Sequence, residues 1–115
     1  MIFVTGPLWS GKQEYICKQL GWGPEEFSRK AVRDVQDLAG ETEDLEELAR
    51  KLSSYEVVIA TEIGGGIVPV DRKERQKREQ AGRLACLLAQ RADTVIRVCC
   101  GLGQVLKGEA PCRSC

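Results

Sequence analysis

The hydrophobic pattern of the chain alternates between short continuous apolar runs and stretches with helical spacing. Three of the runs are rich in β-branched residues: 2–5 (IFVT), 57–60 (VVIA) and 94–99 (TVIRVC). Such runs are typical of strands that are covered on both faces of a parallel sheet, and we expect the second to be a central strand. Because helical segments of crossover length separate the runs, the pattern predicts a three-layer α/β fold with a small, mainly parallel sheet.

Two helices are clearly predicted in the later part of the chain. Thr42 is the expected N-cap of a helix over residues 42–52, whose acidic start and basic end suit the helix dipole. Asp71 and Glu74 form the expected capping pair of a longer helix that continues to Ala92. The predicted buried stripes are Leu45, Leu48, Ala49 and Leu52 in the first helix, and Ala81, Leu84, Ala85 and Leu88 in the second.

Two patterns overlap in residues 22–40. Pro24 suits the first turn of a helix, but the segment AVRDVQ (31–36) also fits a short strand. We favour a helix, because helical spacing is shown by Phe27, Ala31, Val35 and Leu38.

The length suits a single domain, which we assign to residues 1–107. Near its end, a turn at residues 101–103 precedes the last apolar pair, and the core is expected to end near Lys107. Residues 108–115 are predicted to form a disordered tail that carries a lone C-x-x-C motif.

Composition argues against several classes of partner. Seventeen basic and seventeen acidic residues give a net charge of zero and a pI near 6.3, so no overall field attracts nucleic acid or an anionic membrane surface. No apolar run is long enough to span a membrane and no signal peptide is recognisable, so we expect a cytoplasmic protein. Six cysteines without a histidine or an export signal predict reduced thiols rather than disulfides or a zinc site.

Residues 6–13 (GPLWSGKQ) carry the spacing G-x-x-x-x-G-K between the first strand and a helix that ends near Gly21. Glycines let the backbone fold around an anion, N–H groups and the helix N-terminus point at it, and the lysine reaches the outer phosphates. The pattern predicts a nucleotide-phosphate site with a catalytic lysine; the alternative is a glycine-rich turn that binds nothing. The predicted nucleotide-binding residues are Gly6, Pro7, Leu8, Trp9, Ser10, Gly11, Lys12 and Gln13.

Two side chains are candidate ligands of Mg²⁺. The residue after the lysine normally offers a hydroxyl to the metal, but here it is Gln13, whose amide oxygen sits on a longer arm. Glu62 follows the second strand at its carboxyl end, which is the edge that holds the ligand crevice in open α/β sheets. Glu62 is therefore a candidate for the metal shell or for a catalytic proton acceptor; the alternative is an exposed loop acid.

The first turns of the longer helix, DRKERQKREQ (71–80), hold five basic and three acidic residues. Such a mixture indicates a solvated or intersubunit surface and leaves homo-oligomerisation open, while a funnel for a triphosphate is the alternative.

Four motifs occur in a specific order along the chain. They are MIFVTGPLWSGK (1–12), EIGGGIVP (62–69), RE-x-x-GR (78–83) and AD (92–93). Together they resemble the motifs of the adenosylcobinamide kinase/adenosylcobinamide-phosphate guanylyltransferase family of cobalamin biosynthesis, and this resemblance implies a P-loop NTPase-like fold.

The resemblance covers about residues 1–20 and 55–107. Members of the family are longer, and they place further strands, a Walker-B-like acid and the guanylylated histidine where this chain is expected to have only a helical spacer. Gln13 stands at the family's Ser/Thr position, and Ala85-Cys86 replaces an N-Q pair.

The resemblance implies an ATP- or GTP-dependent kinase, with Mg²⁺, that phosphorylates the aminopropanol hydroxyl of the corrinoid adenosylcobinamide. Since the chain contains no histidine, the guanylyltransferase step is not expected. The alternative is a catalytically degenerate nucleotide-binding or regulatory relative. Gln13 and the short central segment favour that alternative, whereas the unbroken P-loop and the loop after Glu62 favour the enzyme.

Overall fold

The computed structural model describes residues 1–62 and 71–111, and these form a five-stranded sheet in the order β2-β3-β1-β4-β5. The first four strands run parallel, and only β5 is antiparallel to its neighbour. The strands are β1 Ile2–Gly6, β2 Ala31–Val32, β3 Val57–Thr61, β4 Thr94–Cys99 and β5 Leu102–Lys107. The mainly parallel sheet is confirmed, and β3 is an interior strand as predicted.

Helices cover both faces of the sheet. They are α1 Lys12–Leu20, α2 Pro24–Lys30, a 3₁₀ helix Val35–Glu41, α3 Leu45–Leu52 and α4 Arg72–Arg91. Ile16 of α1 and Phe27 of α2 pack with alternate strand residues such as Ile59, while Leu52 of α3 and Leu84 of α4 join the cluster on the opposite face. The chain therefore has the three-layer α/β fold of P-loop NTPase-like proteins.

The segment 22–40 differs from the favoured helix. Helix α2 ends at Lys30, because Ala31 takes an extended conformation (φ −124°, ψ 155°) and pairs with β3 opposite Val57. The short-strand alternative is thus correct for two residues, and the 3₁₀ helix follows it. The central segment is consequently not a purely helical spacer, because it adds a parallel strand to the sheet.

The predicted N-cap residue is confirmed at one helix and wrong at the other. Asp71 caps α4, but its carboxylate accepts a hydrogen bond from the Lys73 amide, and the predicted pairing with Glu74 is not formed between these described residues. Helix α3, however, begins at Leu45, and its N-cap is Asp44, whose carboxylate accepts from the Glu47 amide. Thr42 precedes this cap by two residues, and its Oγ1 instead accepts a hydrogen bond from the amide of Asp44.

Strand β5 was not predicted, because its sequence shows no apolar alternation. All six of its residues are exposed in the structure. It forms through pairing with β4 and through two contacts made by its ends. The ring of Tyr15 covers Gly103 so closely that a Cβ there would overlap it. At the other end, Lys107 Nζ donates to the carbonyl oxygens of Ala89 and Gln90, 3.0 and 3.1 Å away, in the last turn of α4.

Two predicted features lie wholly or partly outside the described residues. The glycine-rich loop after Glu62 falls mostly in residues 63–70, and Cys112 and Cys115 belong to the last four residues. Within the predicted tail, the carbonyl oxygen of Glu109 accepts a hydrogen bond from Thr94 Oγ1. None of the helices in residues 1–62 and 71–111 is long and apolar enough to cross a membrane.

Candidate nucleotide-phosphate site

The four parallel strands end at one edge of the sheet, and the described residues that directly follow β1, β3 and β4 are joined there. The amide of Glu62, after β3, donates to the carbonyl oxygen of Gly6 at the end of β1 (2.8 Å). The amide of Gly101, after β4, donates to the carbonyl oxygen of Ser10 (2.8 Å). These bonds fix the P-loop between its neighbours, at the edge where parallel α/β sheets bind ligands.

The backbone of the P-loop requires glycine at two positions. Gly6 has φ +154°, and a Cβ on it would overlap the carbonyl oxygen of Val98 on β4. Gly11 is the N-cap of α1 in the left-handed region (φ 82°, ψ 29°), and as a glycine it offers no side chain to cap this helix end. The N-terminus of α1 is therefore available to attract an anion through its orphan N–H groups.

Lys12 lies inside the loop and not on its surface. Its side-chain Nζ donates to the carbonyl oxygen of Pro7 (2.7 Å) and to Ser10 Oγ (3.3 Å), and Lys12 and Ser10 are both buried. Burial lowers the pKa of Lys12, while the nearby carboxylates of Asp34 and Glu62 oppose that shift. The loop thus holds a cation whose hydrogen-bond partners among residues 1–62 and 71–111 are neutral oxygen atoms.

The remaining predicted loop residues divide by exposure. Leu8 and Trp9 form the tip of the loop, and Trp9 is 92% exposed with φ 62°. Gln13, in contrast, sits at the start of α1, where its Oε1 accepts a hydrogen bond from Arg33 Nη1 (2.9 Å). The structure brings Gln13 and Lys12 to one small cleft of about 180 Å³, which Arg33 also lines.

Glu62 forms a two-pronged ion pair with Arg97 of β4. Arg97 Nε lies 2.7 Å from Oε1, and Nη2 lies 3.0 Å from Oε2. This hydrogen-bonded arginine holds the pKa of Glu62 below its usual range, with a smaller contribution from Lys12. Glu62 is therefore a persistent carboxylate at the sheet edge and a weak proton acceptor.

Sequence reasoning missed Arg33, Asp34 and Arg97. The first two follow β2, and Asp34 adopts a left-handed conformation (φ 57°) that directs the chain into the 3₁₀ helix. If residues 31–32 form a parallel strand, Arg33 and Asp34 must lie at the edge of the sheet that binds ligands. The short-strand interpretation of AVRDVQ therefore could have found these two residues. Arg97 is a charged residue within an otherwise apolar strand, and this exception to the pattern could have marked it as a functional residue.

A second cavity of about 180 Å³ lies between the ends of β1 and β3 and helix α4. Glu62 lines it together with Arg78 and Gly82. Gln36 contributes from the 3₁₀ helix, and its Oε1 accepts from the Thr61 amide (2.9 Å). Glu62, the first residue of the EIGGGIVP motif, therefore meets two residues of the RE-x-x-GR motif at this cavity.

The described oxygen donors do not fit a resident Mg²⁺ well. Gln13 Oε1 is engaged by Arg33, and both carboxylate oxygens of Glu62 are engaged by Arg97. A dication at either place would stand beside a permanently charged guanidinium. The metal assignment of Gln13 and Glu62 stays a prediction, and no step below is routed through the metal.

Comparison with known proteins identifies the family. Residues 17–106 match the model of the Cobinamide kinase / cobinamide phosphate guanyltransferase family. The chain belongs to this family. The matched range includes the central segment, which extends the resemblance seen in the sequence. It begins after the P-loop, so the assignment of Lys12 rests on the loop's own geometry.

A curated relative in this cobinamide kinase / guanyltransferase family is the bifunctional adenosylcobalamin biosynthesis protein CobP of Pseudomonas aeruginosa. It is 36% identical over 76 residues, which amount to 66% of this chain and 44% of the relative. The chain thus spans less than half the length of the curated relative that it matches.

Proposed function

We propose that the chain binds the phosphates of a nucleoside triphosphate in its P-loop and acts as an adenosylcobinamide kinase-type enzyme of cobalamin biosynthesis or salvage. One observation carries this proposal: Lys12 Nζ lies within a loop that ends at a helix N-terminus whose cap residue is glycine, and its hydrogen bonds within the described residues go to the neutral oxygens of Pro7 and Ser10. Phosphate oxygens are stronger acceptors for an ammonium group than either of these. Such a loop supplies the positioning and charge neutralisation on which phosphoryl transfer mainly depends.

The second cavity is the proposed place for the hydroxyl that receives the phosphoryl group. It adjoins the P-loop strand through Thr5, and Glu62 and Arg78 line it. The partly buried Arg78 suits an anionic or phosphorylated product, while Glu62 accepts a hydrogen bond from the attacking hydroxyl and orients it. Because Arg97 keeps Glu62 ionised, its proposed role is to position the hydroxyl more than to remove its proton.

The second candidate function is a nucleotide-binding relative that has lost turnover. The hydrogen bond from Arg33 to Gln13 favours it, because the position that usually carries the metal-binding hydroxyl is engaged by a cation. The chain also spans only part of its relative's length. Both candidate functions share the phosphate site and differ only in whether phosphoryl transfer occurs.

Two measurements on the purified chain test the proposal in order. Isothermal titration with ATP and with GTP measures binding, with Lys12→Ala as the negative control. Incubation with adenosylcobinamide and the nucleotide that binds, followed by mass spectrometry, detects adenosylcobinamide phosphate. Binding with product supports the kinase, binding without product supports the second candidate, and absence of binding contradicts both.

A further inference from the structure

Three oxygen-bearing side chains in or beside the P-loop cleft, Gln13, Asp34 and Glu62, each have an arginine nearby, whereas the carboxylate of Glu14 also lines the cleft. Gln13 Oε1 accepts from Arg33 Nη1 at 2.9 Å, and Glu62 is paired with Arg97. The third oxygen group, the carboxylate of Asp34, lies 3.9 Å from Arg33 Nε. Positive charge therefore already stands where an oxygen-bound dication would be expected.

Arg33 is well placed to act on a ligand in the cleft and not only on Gln13. It lines the same cleft as Lys12, and more than half of its side chain is exposed. A guanidinium carries five N–H donors in a fixed fork. The bond to Gln13 is the one hydrogen bond that Arg33 donates within the described part of the chain, which leaves donors for phosphate oxygens. Gln13 holds the guanidinium over the start of α1, where the helix dipole also favours an anion.

We propose that Arg33 is a phosphate-binding residue that supplies the positive charge Mg²⁺ supplies at other P-loops, so that the site takes nucleoside triphosphates free of magnesium. This inference rests on the proposed nucleotide site and specifies the form of the ligand, a triphosphate without bound Mg²⁺. Lys12 neutralises the phosphates from inside the loop and Arg33 from the rim. Gln13 is a positioning residue whose amide aims the guanidinium.

The geometry also explains why the residue after Lys12 is an amide. A serine at position 13 would be too short to reach the guanidinium of Arg33 with the same backbone, whereas the longer glutamine side chain meets it at 2.9 Å. An amide oxygen is a neutral acceptor, so it orients the guanidinium without cancelling its charge. A carboxylate at this position would neutralise the charge that the phosphates need.

The decisive experiment compares nucleotide affinity with excess Mg²⁺ and with excess EDTA. Wild-type protein is titrated with ATP, GTP and inorganic triphosphate, and we expect dissociation constants within about threefold of each other in the two buffers. Arg33→Ala should weaken binding in EDTA by about tenfold or more, the range for a charge-assisted hydrogen bond. Magnesium should restore part of that loss, because Gln13 Oε1 is then released.

Matched variants separate this role from a general charge effect. Arg29→Ala removes an exposed arginine from the last turn of α2, outside the cleft, and should leave both dissociation constants unchanged. Asp34→Asn should tighten binding in EDTA, since it removes a negative charge from the cleft; if Asp34 were a magnesium ligand, it would instead weaken binding in Mg²⁺. Arg33→Lys keeps the charge without the fork and should lie between wild type and Arg33→Ala, which covers the case in which the alanine variant does not fold.

The outcomes distinguish the two proposals. Binding that needs Mg²⁺ in the wild type, or an Arg33→Ala variant that binds normally in EDTA, overturns the role of Arg33 and leaves the nucleotide site intact. Absence of binding in both buffers overturns the nucleotide site itself, and this inference with it.

Discussion

Arg97 on β4 reaches across β1 to hold Glu62 at the end of β3, with hydrogen bonds of 2.7 and 3.0 Å to the two carboxylate oxygens. The two residues are 35 positions apart, and only the parallel alignment of three strands brings them together. The pair links β4 to the end of β3 beside the P-loop and keeps Glu62 charged.

Removing this pair should change stability in a pH-dependent way. The folded-state pKa of Glu62 lies below its unfolded value near 4.3, so the pair stabilises the fold above that pH and the contribution is lost as the pH falls through the folded pKa. Both side chains are more than a third exposed, so we expect Arg97→Ala to lose no more than about 1 kcal/mol at pH 7.

Urea denaturation of wild type and Arg97→Ala at neutral and at strongly acidic pH measures this difference. Arg83→Ala, an exposed arginine of α4, is the control and should show no such pH dependence. A difference between wild type and Arg97→Ala that persists unchanged in acid would show that the pair does not act through Glu62 ionisation.

Lys12→Ala should weaken triphosphate binding by about tenfold or more, because the lost cation is buried within a loop of oriented N–H dipoles. Lys18→Ala, in the exposed last turn of α1, should change affinity by much less. Calorimetry with ATP measures both variants. Equal affinity in the wild type and Lys12→Ala would remove the P-loop from the binding site.

Gly6→Ala should destabilise the fold by more than about 1 kcal/mol, since its φ of +154° is unfavourable for alanine and the new Cβ would overlap the Val98 carbonyl oxygen. Gly82→Ala is the matched control. Gly82 lies within α4 with open space at its Cβ position, so alanine there should stabilise the helix by about 0.5–1 kcal/mol. Thermal and urea unfolding measure both, and a Gly6→Ala variant as stable as wild type would contradict the described loop.

Incubation with GTP should leave no covalent GMP on this chain. A phosphoramidate intermediate needs a side-chain nitrogen that is largely neutral near pH 7, and imidazole fits this need because of its pKa. The chain has no histidine, and Lys12 is engaged in the P-loop. GTP labelled at the α-phosphate, followed by denaturing electrophoresis and mass spectrometry, tests the prediction; a stoichiometric adduct that chases into adenosylcobinamide-GDP would refute it.

The local patterns of the sequence determined the main elements of this protein. Continuous β-branched runs predicted β1, β3 and β4, because a strand covered on both faces needs apolar side chains in both directions. The glycines of residues 6–11 predicted the turn between β1 and α1, and helical periodicity predicted α3 and α4. Each of these patterns involves residues that are close together in the sequence, so it can be recognised without knowing the tertiary structure.

Tertiary structure alone decided which residues accompany that loop. Strand β2 has two residues and β5 has only exposed ones, so each exists because a neighbouring strand satisfies its backbone groups and not because of its own pattern. The place of Arg33 beside Gln13 follows from β2, and the place of Arg97 beside Glu62 follows from the alignment of β4 with β1 and β3. Both side-chain pairs depend on strand pairing between segments that are distant in the sequence, so no local sequence pattern predicts them.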